Sequence, residues 1–158
     1  MKQNPLFPDQ APNPAAPIAH KAPVPIAHID GGARGNPGPA AYGVVIRTPE
    51  GKVLAELAQY LGIQTNNFAE YSGLIAVLEY AQKQNLPGLK VFSDSELLVK
   101  QMLGEYKVKH PGLKTLYDCA RELVRRLPYF SIQHVLRSSN RDADRLVNQV
   151  LDAEERKR

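Results

Sequence analysis

The chain has one cysteine, Cys119, and no tryptophan. A single thiol excludes an internal disulfide framework and any cysteine-rich zinc cage. Within its helical pattern Cys119 reads as a small packed side chain. No apolar run approaches the roughly 20 residues that a membrane-spanning helix needs. The opening residues carry no apolar stretch of the secretory kind, so the expected compartment is the cytoplasm. Regular patterning is also missing at the start, where residues 1–25 hold seven of the thirteen prolines. With so few apolar anchors, that stretch cannot offset the entropy of ordering. The expected division is a disordered Pro/Ala-rich leader over 1–25, one folded domain over 26–152 and a charged tail over 153–158.

Acidic excess is lacking too: the net charge is +4. Most of it lies in residues 105–126, where six cations (Lys107, Lys109, Lys114, Arg121, Arg125 and Arg126) face three acids. Such a segment is either a surface for a polyanion or a solvated helix face.

What is present is organised around residues 26–43. A short apolar run ends on Asp30, and the next nine residues contain four glycines and two prolines. That pattern leaves a carboxylate at a strand end, beside backbone able to approach a ligand closely. Further apolar runs follow at 41–47 and 52–60, joined by the turn Thr48-Pro49-Glu50-Gly51. Polar cap candidates at Thr65, Asn66 and Asn67 open a helix to about Gln84, with Phe68, Tyr71, Ile75, Leu78 and Tyr80 or Ala81 at helical spacing. A fourth strand, 89–93, ends on Asp94, and Ser93-x-x-Glu96 fits a capping box for the next helix. Gly104 closes that helix, whose apolar face is Leu97, Leu98, Met102 and Leu103. A basic connector, a helix to about Leu127, a strand over 129–136 and a last helix complete the chain. Three successive strands followed by strand–helix alternation predict an α/β fold with a mixed sheet.

Asp30 and Asp94 stand at separate strand ends, where ligands of α/β sheets gather. Glu70 falls in the first turn of a helix, and Asp142 and Asp144 at the start of another. Clustered carboxylates raise one another's pKa values, and a fold tolerates them chiefly when divalent cations neutralise them. All-oxygen ligands suit magnesium or manganese rather than zinc. Two such ions suit displacement at phosphorus.

Four motifs then carry a resemblance: Asp30-Gly31-Gly32…Gly35-Asn36-Pro37-Gly38…Tyr42-Gly43, Thr65-Asn66-Asn67-x-x-Glu70, Ser93-Asp94-Ser95 and Asn140-x-x-Ala143-Asp144. Taken in this order they resemble type I ribonuclease H over nearly the whole chain outside leader and tail. The resemblance implies a ribonuclease H-like five-stranded sheet, three antiparallel strands then parallel ones, with helices on both faces. It implies that Asp30, Glu70, Asp94 and Asp144 are the catalytic, metal-binding acids for two Mg2+ ions, with Mn2+ as an alternative. Asp30 would bridge both ions, Asp144 would join it on one, and Glu70 and Asp94 on the other. Asp142 does not match the pattern and reads as a helix-start charge. Asn36, Asn66 and Asn67, with backbone at Gly31 and Gly32, would read the minor groove of an RNA–DNA hybrid. Uncharged amides and close backbone suit recognition of the 2′-hydroxyl.

The chain departs from the best-known members twice. Their basic, tryptophan-bearing protrusion is replaced by the short connector bearing Lys107 and Lys109. Their mobile histidine before the last acid has no counterpart in Arg137-Ser138-Ser139-Asn140, where Arg137 is the expected phosphate contact. His134 lies too early in the sequence to take that role, and His20 and His28 read as incidental. The expected activity is hydrolysis of the RNA strand of hybrids, leaving 3′-hydroxyl and 5′-phosphate ends. Three alternatives stay open: double-stranded RNA as substrate, a hybrid-binding module that does not cut, and a scaffold working through its leader.

Overall fold

The computed structural model describes residues 23–157. Residues 1–22 of the expected leader, including His20, and the final Arg158 lie outside the described residues. Five strands, β1 (Ile26–Ala33), β2 (Gly38–Arg47), β3 (Val53–Gln64), β4 (Leu89–Ser93) and β5 (Phe130–His134), form one sheet in the order β3-β2-β1-β4-β5. The β3–β2–β1 half is antiparallel, and β4 and β5 join parallel to β1. Helices α1 (Asn66–Lys83), α2 (Glu96–Met102), α3 (Pro111–Arg125) and α4 (Arg141–Arg156) cover its two faces. The expected mixed, two-faced architecture is the one observed. No described helix is long and apolar enough to cross a membrane.

Strand alternation sorts the core. Ala27, Ile29, Val44, Ile46, Leu89, Val91 and Ile132 pack under α1, α2 and α3, together with Tyr71, Leu74, Leu78, Leu98, Met102 and Val124. On the other face Ala41 meets Val147 and Leu151 of α4. α1 buries Leu74 and Val77 as well as Tyr71 and Leu78, a broader face than the expected stripe, because it packs against α3 as well as the sheet.

Several sequence expectations shift. β1 does not stop at Asp30. Its parallel pairing to β4 ends at Ile29↔Ser93, but its antiparallel ladder with β2 continues to Ala33↔Ala40. Gly31 and Gly32 stay paired opposite Tyr42 and Ala41, so they prolong the strand rather than open a loop. The cap of α2 is Ser95, whose side chain accepts from Leu98 N–H, while the Ser93 hydroxyl accepts from Ser95 N–H. Leu97 and Leu103 of the expected apolar face are exposed, the burial coming from Leu98, Val99 and Met102. Cys119 is exposed, on the outward side of α3. Val24 is buried and Pro25 C=O accepts from Lys90 N–H, so packing begins just before Ile26. At the other end α4 runs on through Arg156, and Arg34 pairs with its Asp152 and Glu155.

Candidate active site

The end of the parallel β1–β4 pair sets the site. Beyond Ile29 the two strands part, and the next residue of each, Asp30 and Asp94, carries a carboxylate. Glu70 comes from one turn inside α1, not from its first turn, which holds no acid. Carboxylate oxygens of Asp30, Glu70 and Asp94 all lie within 4.8 Å of one another. Asp144, in the first turn of α4, falls outside that trio but lies near enough to Asp30 to act on its carboxyl.

Two missing side chains permit this convergence. A Cβ on Gly31 would lie 2.3 Å from the Ala69 carbonyl carbon and 2.5 Å from Glu70 N, so only glycine lets α1 press onto β1 there. A Cβ on Gly43 would lie 2.6 Å from Ala143 O, so only glycine lets the start of α4 press onto β2. One contact delivers Glu70, the other Asp144. On the remaining side Asn140 ties the parts together. It is 1% exposed, and its Nδ2 donates to Ile29 C=O at 2.8 Å, one residue before Asp30. Its own C=O accepts from Asp144 N–H at 3.1 Å. In the sequence Asn140 stands out only as part of a motif. A polar residue before a helix reads as an N-cap, yet this side chain makes no cap bond and turns into the core instead.

The electrostatics are those of acids held against their inclination. Burial first, then the charge of Asp94 and the hydrogen bond and charge of Asp144, push the Asp30 carboxyl up to about 8, with Gly31 N–H opposing. Burial, then the charges of Asp30 and Asp94, hold Glu70 well above the ordinary carboxylate range; Gly31 N–H and Arg137 pull the other way. Glu70 Oε1 is buried and accepts no hydrogen bond from the protein. A buried acceptor without a donor costs free energy unless something supplies positive charge. The donor set is entirely carboxylate oxygen, the set that hard divalent cations take. The residues fit such an ion.

Around the acids, the sequence-predicted contacts are placed unevenly. Asn36 Oδ1 accepts from Asn66 N–H at 2.9 Å, and Asn66 Oδ1 accepts from Ala33 N–H at 2.8 Å. These bonds stitch the β1–β2 turn to the start of α1 and leave both amide nitrogens free to donate outward. Capping of α1 itself falls to Thr65, whose hydroxyl accepts from Phe68 N–H. Asn67 follows in the same first turn, half-buried. Gly32 lies under Asn66 and Val147, facing α4. Arg137, on a 3-10 turn (Arg137–Ser139), is 88% exposed with its Nε 3.9 Å from Asp94 Oδ2. Lys107 and Lys109 sit on the connector between α2 and α3, outside the acid cluster. Asp142 points elsewhere: Arg47 of β2 holds it at 2.6 Å and keeps its carboxyl below the ordinary range, with Arg145 adding to the effect.

A model of the reverse transcriptase-like family matches residues 28–150. A bifunctional protein of Mycobacterium tuberculosis is 47% identical over 129 residues, covering 81% of this chain and 35% of the relative. A ribonuclease HI of Halobacterium salinarum is 42% identical over 126 residues, covering 80% of this chain and 63% of the relative. The chain therefore spans about a third of the mycobacterial relative's length. Among solved structures, the N-terminal RNase H domain of the Mycobacterium tuberculosis protein superposes with a TM-score of 0.82 at 44% identity, over 86% of this chain and 99% of that one. LC11-RNase H1, crystallised with an RNA/DNA hybrid, superposes with a TM-score of 0.78 at 43% identity, over 82% of this chain and 98% of that one.

Proposed function

The chain belongs to the ribonuclease H family, and on that footing we propose that it hydrolyses the RNA strand of RNA–DNA hybrids, leaving 3′-hydroxyl and 5′-phosphate ends. The observation that carries this reading is the meeting of Asp30, Glu70 and Asp94 within 4.8 Å, with Asp144 near enough to act on Asp30 and one Glu70 oxygen buried without a donor. Such an arrangement has no use in a module that only grips nucleic acid, since it destabilises the fold and repels phosphate. In this reading Asp30, Glu70, Asp94 and Asp144 are the catalytic acids and hold two divalent ions, magnesium first and manganese as the alternative. When bound, the pair would supply Lewis-acid activation of the attacking water and of the departing 3′-oxygen.

The remaining residues bind and orient. Asn36 and Asn66, whose oxygens are spent inside the protein, present amide N–H groups at the rim of the site. Those donors suit the acceptors of the minor groove and the 2′-hydroxyl oxygen. Asn67 and the backbone at Gly31 and Gly32 line the same approach. Arg137, exposed and beside Asp94, meets a substrate phosphate, and Lys107 and Lys109 contact the backbone further along the duplex. We place the reaction in the cytoplasm, on the reading of the sequence alone.

A panel of end-labelled duplexes tests the proposal: an RNA–DNA hybrid, double-stranded RNA, and double-stranded DNA with one ribonucleotide, each with magnesium, manganese or chelator. The expected result is metal-dependent cleavage of the hybrid RNA strand with 3′-hydroxyl products. Equal cutting of double-stranded RNA would reassign the substrate, and binding without cleavage in either metal would overturn the nuclease reading.

A further inference from the structure

Behind the acid cluster a chain of buried polar groups runs from α1 to the basic connector. Tyr71 directly follows Glu70 on α1, and its side chain is turned into the core, 1% exposed. Its hydroxyl donates to Gln101 Oε1 of α2 at 2.7 Å, and Gln101 is itself 5% exposed. The other end of that amide, Nε2, donates to Lys107 C=O at 3.4 Å. One buried side chain thus holds the helix that carries Glu70 on one side and the backbone of the connector on the other.

The connector is held at further points. Gly104, at φ 82°, ends α2 in the left-handed conformation that glycine adopts without strain. Glu105 N–H and Tyr106 N–H then both donate to Lys100 C=O, at 2.8 and 3.2 Å. The Lys100 ammonium lies 5.0 Å from the centre of the Tyr106 ring and pairs with Glu96. At the far end His110 Nδ1 accepts from Gly112 N–H and caps α3. Backbone is fixed on both sides of residues 107–109 while the side chains of Lys107 and Lys109 stand exposed. Neither makes an ion pair among the described residues, whereas Lys100, Lys114, Arg125 and Arg126 of the flanking helices all do. Unpaired ammonium groups on a fixed backbone suit phosphates at set spacing, because no ion pair has to be broken and little backbone entropy is lost on binding.

We infer that Gln101 is a positioning residue for nucleic-acid binding, setting the register between the basic connector and the helix that carries Glu70. The inference rests on the proposed function in taking Lys107 and Lys109 as backbone contacts. Gln101 acts through them and touches no substrate itself. Gln has no other need to be buried here, since an apolar side chain of its length would fill the same space without polar groups to satisfy.

The test uses the full chain and a fluorescent RNA–DNA hybrid, with the dissociation constant measured in chelator across a salt series and kcat measured with magnesium. Gln101→Met keeps the volume and removes both hydrogen bonds. It is expected to weaken binding about 5-fold, lower the salt slope by about one unit and leave kcat within 2-fold. Tyr71→Phe removes only the bond to α1. It is expected to weaken binding less than Gln101→Met, because Gln101 still holds Lys107. In the Gln101→Met background, Lys107→Ala with Lys109→Ala is expected to add less than it does in the parent chain. Parent-like affinity and salt slope in Gln101→Met, beside a loss in the double lysine variant, would overturn the inference alone. No loss in the double lysine variant would overturn the reading of the connector. Should Gln101→Met fail to fold, Tyr71→Phe decides: weaker hybrid binding with kcat within 2-fold of the parent supports the inference, and parent-like affinity and salt slope refute it.

Discussion

The acid cluster and the basic connector carry opposite charges and are built by opposite means. The acids come from places far apart in sequence, are buried or partly buried, and are pressed together by helix–strand contacts so tight that only glycine fits at Gly31 and Gly43. The connector is one continuous exposed stretch, and its lysines repel nothing and displace nothing. Chemistry at a phosphodiester needs charge concentrated where water is scarce, which destabilises the empty fold. Backbone binding needs charge that is exposed and unpaired, which costs the fold little. The two regions therefore trade stability and function in different ways.

The largest expected effect tests the buried side of this contrast. Asp30→Asn should lower kcat on a hybrid by about 1,000-fold or more, by analogy with other losses of a transition-state-stabilising group. In chelator at pH 8 the same change should raise the melting temperature, because a carboxylate held against burial and two neighbouring acids is gone. A lower melting temperature would show that the cluster is structural. Next in size is Gly31→Ala, which puts a methyl into the α1 backbone. Overpacking of this kind costs about 1–3 kcal/mol or more, and calorimetry should show it together with loss of activity, since Glu70 moves with its helix.

A third prediction concerns pH. The folded-state pKa of Asp30 is pushed up to about 8 and that of Glu70 is also raised, so the native state binds more protons than the unfolded chain in that range. Stability in chelator should be fullest below the ordinary carboxylate pKa and fall as pH rises toward 8. Magnesium should reverse the fall, as any ligand of the native state does. A melting temperature in chelator that rises from pH 5 to 8 would contradict the electrostatic account. On the exposed side the effects shrink. Lys107→Ala with Lys109→Ala should leave the melting temperature and kcat nearly unchanged and lower the salt slope of hybrid binding by up to about two units. Smallest of all, removing residues 1–22 should leave the melting temperature and hybrid cleavage at parent values. A drop of several degrees would show that the leader packs on the domain.

Much of the site was legible because its residues stand at punctuation points. Strand ends, helix starts and glycine runs mark the places where a chain can bring functional groups out of its core; Asp94 and Asp144 do stand at such points, whereas Asp30 lies inside a longer strand and Glu70 one turn inside its helix. The residues that hold them were not legible. Asn140 looks like a cap, and only its reach to Ile29, 111 positions earlier, shows otherwise. Gln101 looks like a surface polar residue on a short helix, and only Tyr71 and Lys107 explain its burial. Cys119 illustrates the reverse error, a small residue at helical spacing that faces solvent because α3 is covered on one side only.

The sequence by itself determined the order of strands and helices, their capping polarity in outline and a short set of candidate acids, since hydrophobic period, turn chemistry and charge act over a few neighbouring residues. Only the tertiary structure decided that β1 continues past Asp30, that Gly31 and Gly43 are places of contact between layers, and that two buried amides link the elements of the site. Those outcomes depend on what approaches from remote parts of the chain, and close packing between distant segments leaves no local trace in either.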